Sequence, residues 1–346
     1  MGKEKKPLDL LNIRARDIFK KSEAKSEEIS SIAKDVTQRY CSENNIPLDQ
    51  ICFIAIGSVG RKEALEASDL DIIPILKGNG GALINTFQKH DKNIRELLAT
   101  SLDMHVSKGE DLTKFESLDN LTNKDSIGGD ADCSASLTKR ILILSESKQV
   151  GGELEISKVR EEILQAYGAK ERTSGRHVLS LCNDIARYYK TLCIEYKAKV
   201  DNEDKDWCTR NIKLRHSRKL WYFSTMISII YISTLHPNGD KEYISKLLNA
   251  FKIPPHKRLL EFIPETQEHS ARNILEKYSW FMEFMSKQGH RTKLSKIEHK
   301  DRYNPVIENP FPLMKLNSDM MHHEMVDVIE NLPSHLRHKV YDWFLL

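Results

Sequence analysis

The segment GSVGRKEALEASDLD, residues 57–71, restricts what this chain can fold into more than any other part of it. The run ICFIAIG at 51–57 leads into the segment, and the run DLDIIPIL at 69–76 leads out of it. Both runs are short and apolar, with the β-branched residues that are typical of buried strands. The pattern therefore predicts two strands connected through a glycine turn, with the turn and the start of the second strand in one site.

Helical patterns surround these strands. Residues from about 10 to 44 carry apolar residues at three- and four-residue spacing, and a second helical stretch extends from about 82 to 100. The run SLDMHV at 101–106 predicts a third strand, and the polar stretch 108–132 predicts a loop. Beyond this loop the patterns are helical almost to the last residue.

The composition indicates a globular protein of about two domains. Of 346 residues, 40% are hydrophobic and 30% are charged, and the net charge of +3 does not indicate a general nucleic-acid binder. The six cysteines form no C-x-x-C pair, the first residues lack the apolar core of a signal peptide, and no stretch predicts a membrane span. We therefore expect a cytoplasmic protein with reduced cysteines and no membrane contact.

Two aspartates, Asp69 and Asp71, end the central segment. Side chains alternate along a strand, so both carboxylates are expected on the same face. A cation between them relieves their repulsion, and Mg²⁺ or Mn²⁺ suits these oxygen ligands and also binds the phosphates of a nucleoside triphosphate (NTP). Asp103 in the predicted third strand is the candidate for a third acid, because a neighbouring strand can bring it beside the pair. A solvated surface position is the alternative for Asp103.

The turn consists of Gly57, Ser58, Val59 and Gly60. Its backbone N–H groups and the Ser58 hydroxyl are suited to donate to phosphate oxygens, and Arg61 is expected to add a positive charge beside them. Either a glycine turn or a D-x-D pair alone is more often structural, but their combination favours a catalytic site. The segment lacks the Gly-Lys-Ser/Thr of a P-loop and the third glycine of a dinucleotide-binding fingerprint.

The segment resembles the signature of the nucleotidyltransferase superfamily, which shares the fold of DNA polymerase beta. It is most similar to the group that contains the uridylyltransferase of the PII nitrogen regulator and its uncharacterised relatives. In that group the pattern is G-x-x-G-R-x-E, then five residues, then D-x-D. The matching positions here are Gly57, Gly60, Arg61, Glu63, Ser68, Asp69 and Asp71. Residues 182–197 and 207–224 also resemble the helical substrate-binding domain that follows the catalytic domain in those relatives.

The resemblance implies the fold, the metal ions and an NTP as substrate. The expected fold class is α+β, with a small mixed-sheet nucleotidyltransferase domain followed by a mostly α-helical bundle. The expected segments are an N-terminal helical segment at 1–48, the catalytic domain at 49–125 and the helical substrate-binding domain at 126–346.

Basic residues of the helical half are candidates for holding the NTP or its acceptor. Arg187 and Lys190 lie on a polar stripe of one predicted helix, and Asn211 and Arg215 lie near the start of the next. Lysine and arginine suit phosphate, and asparagine suits a base edge. These four residues are predicted to line a cleft facing the metals, and a solvated basic face is the alternative.

The predicted function is transfer of a nucleoside monophosphate from an NTP to a hydroxyl acceptor, with release of pyrophosphate. Asp69, Asp71 and Asp103 are the expected catalytic and metal-binding residues, with Mg²⁺ or Mn²⁺ as cofactor. The acceptor stays open between a protein, an RNA such as tRNA, and a small molecule. The alternative function is a catalytically silent module of the same fold that binds nucleotide or RNA and regulates a partner protein.

Overall fold

The structure is a computed structural model of the 346-residue chain. It describes residues 8, 11–78, 81–127, 134–168, 179–203, 206–236, 241–306 and 308–345. Strands and many helices are present in this part of the chain, so the predicted α+β class is confirmed. Among the described residues, no helix is long and apolar enough to cross a bilayer.

The sheet has four strands among the described residues, in the order β3-β2-β1-β4. The strands are β1 (Ile51–Ile56), β2 (Asp71–Leu76), β3 (Glu116–Ser117) and β4 (Lys148–Gly151). Strand β1 is antiparallel to both neighbours, and β2 is parallel to β3, so the sheet is mixed as predicted. In the β1–β2 register Ile56 is opposite Asp71, which brings the end of one strand next to the start of the other.

Helices account for most of the remaining described residues. In chain order they are α1 (Ile13–Glu43), α2 (Gly57–Gly60), α3 (Gly81–Leu102), α4 (Leu118–Leu121), α5 (Ser134–Ser145), α6 (Ile156–Gly168), α7 (Leu179–Glu203), α8 (Trp207–Lys213), α9 (Lys219–Leu235), α10 (Lys241–Lys252), α11 (Pro255–Phe262), α12 (Glu268–Ser286), α13 (Gln288–Ser295), α14 (Phe311–Glu330) and α15 (Ser334–Val340). Two π-helical stretches, Leu214–Arg218 and Tyr341–Leu345, follow α8 and α15.

The chain divides into two compact units. The sheet unit comprises Lys21–Asp184 and Asn238–Lys252, and the helical unit comprises Met1–Lys20, Ile185–Pro237 and Ile253–Leu346. Both boundaries of the predicted catalytic domain, at residues 49 and 125, fall inside the sheet unit. The two compact units thus have other boundaries than the three segments expected from the sequence. That the segments form a catalytic domain and a substrate-binding domain stays a prediction.

The core of the sheet unit lies between the sheet and helices α1 and α3. The apolar stripe of α1, including Ile29, Ala33 and Val36, packs in one cluster with Phe53 of β1 and Phe87 of α3. Strand β1 is buried along its whole length, which explains why its sequence is apolar without alternation. The predicted helix at 10–44 and strand at 51–57 are therefore confirmed within a few residues.

The core of the helical unit is formed by packed helices. Helices α12 and α14 pack on each other, and α9 packs on α11. Trp221 of α9, Tyr278 of α12 and Phe311 of α14 are among its largest fully buried side chains. Helix α9 is buried on nearly all sides, so its sequence lacks a polar face.

Two sequence predictions about the sheet are wrong, and one strand was not predicted. The run at 101–106 is not a strand, because α3 continues to Leu102 and only Val106 forms a bridge, to Leu70. The predicted loop at 108–132 contains β3 and α4. Strand β4 was missed because four residues carry little local pattern, and its pairing with β1 is a long-range contact.

Candidate functional site

The turn after β1 is a short helical turn, α2, held by backbone hydrogen bonds. Gly57 has φ +68°, a conformation that side chains of L-residues rarely adopt. The N–H of Arg61 donates to the Gly57 carbonyl, and the N–H of Glu63 donates to the Ser58 carbonyl. The N–H groups of a first helical turn have no acceptors within the helix, so they are available to an anion. The Ser58 hydroxyl has no hydrogen-bond partner in the described part of the chain.

The carboxylate of Asp71 lies directly beside this turn. A Cβ atom at Gly57 would be 3.4 Å from Oδ2 of Asp71. The antiparallel register causes this proximity, because Asp71 is opposite Ile56, the residue before the turn. The turn and the aspartate, which are fourteen positions apart in sequence, therefore form one locus, as the motif predicts.

Asp69 lies outside β2, which begins at Asp71. Leu70 between them is fully buried and bridges to Val106, whereas Asp69 is exposed. Side chains alternate between the two faces of an extended chain, so Asp69 and Asp71 lie on the face opposite to the buried Leu70. The Asp69 carboxylate makes no ion pair or hydrogen bond with a described residue.

Asp103 does not occupy the predicted strand position. It follows the end of α3 with φ +47°, and its side chain is exposed. The Met104 N–H donates to the Ala99 carbonyl, which is a helix-terminating contact, so Asp103 is part of a helix cap. The expectation of a third acid in a strand beside Asp69 and Asp71 is therefore wrong, because the helix extends farther than its apolar pattern.

His105 and Ser107, rather than an acid, flank the bridge to Leu70. The Leu70 N–H donates to the His105 carbonyl at 2.9 Å, and the Ser107 N–H donates to the Leu70 carbonyl at 3.0 Å. The Ser107 hydroxyl also accepts from the N–H of Ile72. These contacts fix the segment 105–107 against the residues on both sides of Asp71.

Arg95 holds this arrangement from α3, and the sequence analysis missed it. Its Nη1 donates to the carbonyls of Ile72 and Ser107, and its Nη2 donates to that of Thr113. Nε pairs with Asp91 at 2.9 Å, and the Arg95 side chain is 5% exposed. A signal was present in the sequence, because Arg95 stands next to Ile94 on the apolar stripe of the predicted helix.

Arg61 forms a buried ion-pair network instead of facing the turn as a free cation. Its Nε donates to Oε2 of Glu63 at 2.8 Å, and its Nη1 donates to Oε2 of Glu146 at 2.5 Å. The three side chains are between 0% and 6% exposed. The prediction that Arg61 holds phosphate is therefore replaced by a structural role, since two buried carboxylates already engage the guanidinium.

Gly60 is required by close packing. A Cβ atom there would be 2.3 Å from the Glu146 carbonyl oxygen and 2.7 Å from that of Ala55. The turn thus packs against β1 and against the connection between α5 and β4. This packing fixes the position of Ser58 relative to the strands.

The four predicted residues of the helical half lie in the helical unit. Arg187 and Lys190 are exposed on α7. Arg215 donates from Nε to Asn211 Oδ1 at 3.0 Å and from Nη1 to Asp319 Oδ1 at 2.9 Å. The structure thus brings Asn211 and Arg215 together, and the cleft predicted between all four residues and the metals stays a prediction.

The described residues contain no group of three or more His, Cys, Asp or Glu side chains arranged to hold a metal ion. Mg²⁺ does not require such a cage, because it is commonly bound by one or two carboxylates together with substrate phosphates and water. Asp71 beside the turn, with the exposed Asp69 two residues before it, fits that mode of binding.

No model of a known protein family matches the chain, and no curated protein matches its sequence. The resemblance to nucleotidyltransferases therefore depends on the motif residues themselves.

Proposed function

We propose that this chain is a metal-dependent nucleotidyltransferase that transfers a nucleoside monophosphate from an NTP to a hydroxyl acceptor. The observation that carries the proposal is the closeness of the Asp71 carboxylate to the turn, since Oδ2 of Asp71 is 3.4 Å from the point that a Cβ atom of residue 57 would occupy. A phosphate held by the turn would be next to a carboxylate that can share a cation with it. This pairing of anion site and acid is what a metal–triphosphate complex requires.

Asp69 and Asp71 would hold Mg²⁺ or Mn²⁺ between them. The metal, when bound, neutralises the triphosphate charge and favours the ionised form of an attacking hydroxyl. Asp69 is suited to this role because it is exposed and makes no ion pair with a described residue. The buried Leu70 and its bridge to Val106 keep the two carboxylates on one side of the chain.

The turn would hold the phosphates of the NTP. The Ser58 hydroxyl and the backbone N–H groups of α2 are donors of the type that phosphate oxygens accept. Gly60 packs closely against the backbone of Ala55 and Glu146, which holds the turn against β1. A rigid turn contributes to catalysis by positioning, which supplies much of the rate enhancement in phosphoryl-type transfer.

In the proposed reaction the acceptor oxygen forms a bond to the α-phosphorus, and the bond from the α-phosphorus to the bridging oxygen breaks. Pyrophosphate leaves with that oxygen, and the acceptor proton passes to solvent or to a nearby base. The acceptor is a protein, an RNA or a small molecule.

A binding experiment tests the proposed site for the metal and the NTP, and it does not require that the acceptor is known. Calorimetry with Mn²⁺ and a non-hydrolysable NTP should show binding to the wild type, and Asp69→Asn with Asp71→Asn should weaken it at least about tenfold. Asp103→Asn is the matched control, because it removes the same charge from a helix cap. Equal affinity in the wild type and the double variant would refute the proposed site.

A labelling experiment tests turnover. Purified protein, a labelled NTP, Mg²⁺ and cell lysate should yield a labelled acceptor, and the Asp69→Asn, Asp71→Asn variant should yield none. Mass spectrometry of the labelled species then identifies the acceptor class.

The catalytically silent module is the second candidate. It is favoured by one observation: the described residues contain no group of three His, Cys, Asp or Glu side chains that could hold a metal ion. NTP binding without pyrophosphate release under every acceptor tested would favour this alternative.

A further inference from the structure

A group of basic side chains lies on three elements of the helical unit. We call Arg215, Lys219, Lys315 and His322 the basic cluster. Arg215 is in the π-helical stretch Leu214–Arg218, Lys219 begins α9, and Lys315 and His322 are on α14. π-helical turns within helices are frequent at functional sites, because they alter which side chains share a face.

One carboxylate, Asp319, is shared between two of these cations. Its Oδ1 accepts from Arg215 Nη1 at 2.9 Å, and its Oδ2 accepts from Lys315 Nζ at 2.7 Å. Both oxygens are therefore engaged. Arg215 is further held by Asn211, so its guanidinium is fixed in position.

Lys219 has no such partner. Its ammonium makes no hydrogen bond or ion pair with a described residue, although the side chain is partly buried. Burial and the positive charge of Arg215 lower the pKa of Lys219, and Asp319 offsets this only in part. Burial and the charge of Lys219 likewise lower the pKa of His322. A partly buried cation next to other cations is unfavourable unless an anion joins it.

Tyrosines of α7 and α9 lie beside the cluster. The rings of Tyr189 and Tyr222 stack with centroids 4.4 Å apart. The Tyr189 hydroxyl has no hydrogen-bond partner among the residues that the structure describes, and burial raises its pKa, so it remains a donor. Cys193, an exposed thiol of α7, is close enough to Lys219 to be influenced by its charge.

We propose that the basic cluster binds the oligophosphate group of a small phosphorylated ligand, with Lys219 and the Tyr189 hydroxyl as its direct donors. Three permanent cations and one carboxylate leave two positive charges in excess, which matches an anion of more than one charge. The two donors come from α7 and α9, and both lie close enough to Arg215 to be influenced by its charge, which suits a compact phosphate group better than an extended chain. The site uses residues of the helical unit alone and is independent of the proposed function.

The test measures binding of tripolyphosphate to the full chain in EDTA, so that no metal supports binding at Asp69 and Asp71. Lys219→Met keeps the aliphatic stem and removes the charge, and Tyr189→Phe removes only the hydroxyl. We expect Lys219→Met to weaken binding at least about tenfold. Tyr189→Phe should weaken it severalfold, because this variant loses one hydrogen bond to a charged phosphate. Lys296→Met, at an exposed lysine of the same unit, should bind as the wild type does.

A second measurement locates the ligand. The rate of alkylation of Cys193 is measured by mass spectrometry of the peptide that contains it. Tripolyphosphate should slow this alkylation in the wild type but not in Lys219→Met. The Asp69→Asn, Asp71→Asn variant should retain both binding and protection, which separates this site from the proposed active site. Thermal melting shows whether each variant is folded.

Three outcomes would overturn the proposal. They are wild-type affinity in Lys219→Met, equal losses in Lys219→Met and Lys296→Met, and tighter binding of a short single-stranded RNA than of tripolyphosphate or ATP. Comparison of the affinities for ATP and tripolyphosphate shows whether the ligand is a nucleotide. Tighter binding of ATP would indicate a nucleotide, and equal affinities would indicate that the site recognises the phosphates alone.

Discussion

Replacement of Arg61 by methionine separates the structural role of this residue from the role that its motif suggests. The guanidinium is the cation between Glu63 and Glu146, at 2.8 Å and 2.5 Å, and all three side chains are at most 6% exposed. Methionine fills a similar volume but leaves two buried carboxylates without a counter-charge. One oxygen of Glu63 already has no hydrogen-bond partner among the described residues, so the network has no spare donor.

The expected loss of stability is large. Removal of one partner from a buried ion pair costs about 3–5 kcal/mol. For a unit of this size each kcal/mol lowers the melting temperature by about 2–4 °C, so Arg61→Met should lower that of the sheet unit by roughly 6–20 °C. The triple variant Arg61→Met, Glu63→Leu, Glu146→Leu should recover much of this loss, because an apolar replacement of a whole buried network is often neutral or stabilising.

The assay is thermal melting by circular dichroism, with NTP binding measured in parallel below the transition. Lys62→Met is the control, because Lys62 is the adjacent basic residue and its ion pair with Glu27 is at the surface. Surface pairs contribute about 0–1 kcal/mol, so this variant should melt within a few degrees of the wild type. If Arg61→Met melts like Lys62→Met but loses NTP binding, Arg61 faces the ligand and the ion-pair argument is incorrect.

Three further predictions concern the turn, Asp103 and a buried histidine. Gly60→Ala should destabilise the sheet unit more than Gly57→Ala in urea unfolding, because a Cβ at Gly60 would meet two carbonyl oxygens at 2.7 Å or less, whereas at Gly57 the cost is the positive φ, about 1–2 kcal/mol. Asp103→Ala should leave NTP binding and labelling within about twofold of the wild type, since Asp103 belongs to a helix cap; a loss comparable to that of Asp71→Asn would contradict its assignment. Burial lowers the pKa of His216 in the folded state from 6.5 to about 3. As the pH decreases, His216 is therefore protonated in the unfolded state before it is protonated in the folded state. Its contribution to stability should be constant above pH 6.5 and should fall as the pH decreases toward 3. His216→Phe, which retains stacking on Phe281, should flatten this slope of up to about 1.4 kcal/mol per pH unit in urea titrations between pH 7 and 5.

The sequence by itself determined the elements that have strong local patterns. Strand β1, helix α1 and most of α3 lie within a few residues of their predicted bounds, because their apolar spacing specifies which face is buried. The motif also predicted that the turn and Asp71 form one locus. When two strands that are close in sequence pair in antiparallel register, the end of the first lies next to the start of the second. The closeness of the turn and Asp71 could therefore be predicted from residues that are near each other in sequence.

Only the tertiary structure decided the partners of the charged residues. Arg61 and Glu146 are 85 positions apart, and Arg215 and Asp319 are 104 apart, and no local pattern couples them. Asp103 was misassigned because its neighbours are compatible with a strand and with the end of a helix, and the extension of α3 to Leu102 decides between them. Local sequence specifies hydrophobic faces and turns, whereas the role of a charge depends on burial and on which opposite charge folding brings beside it.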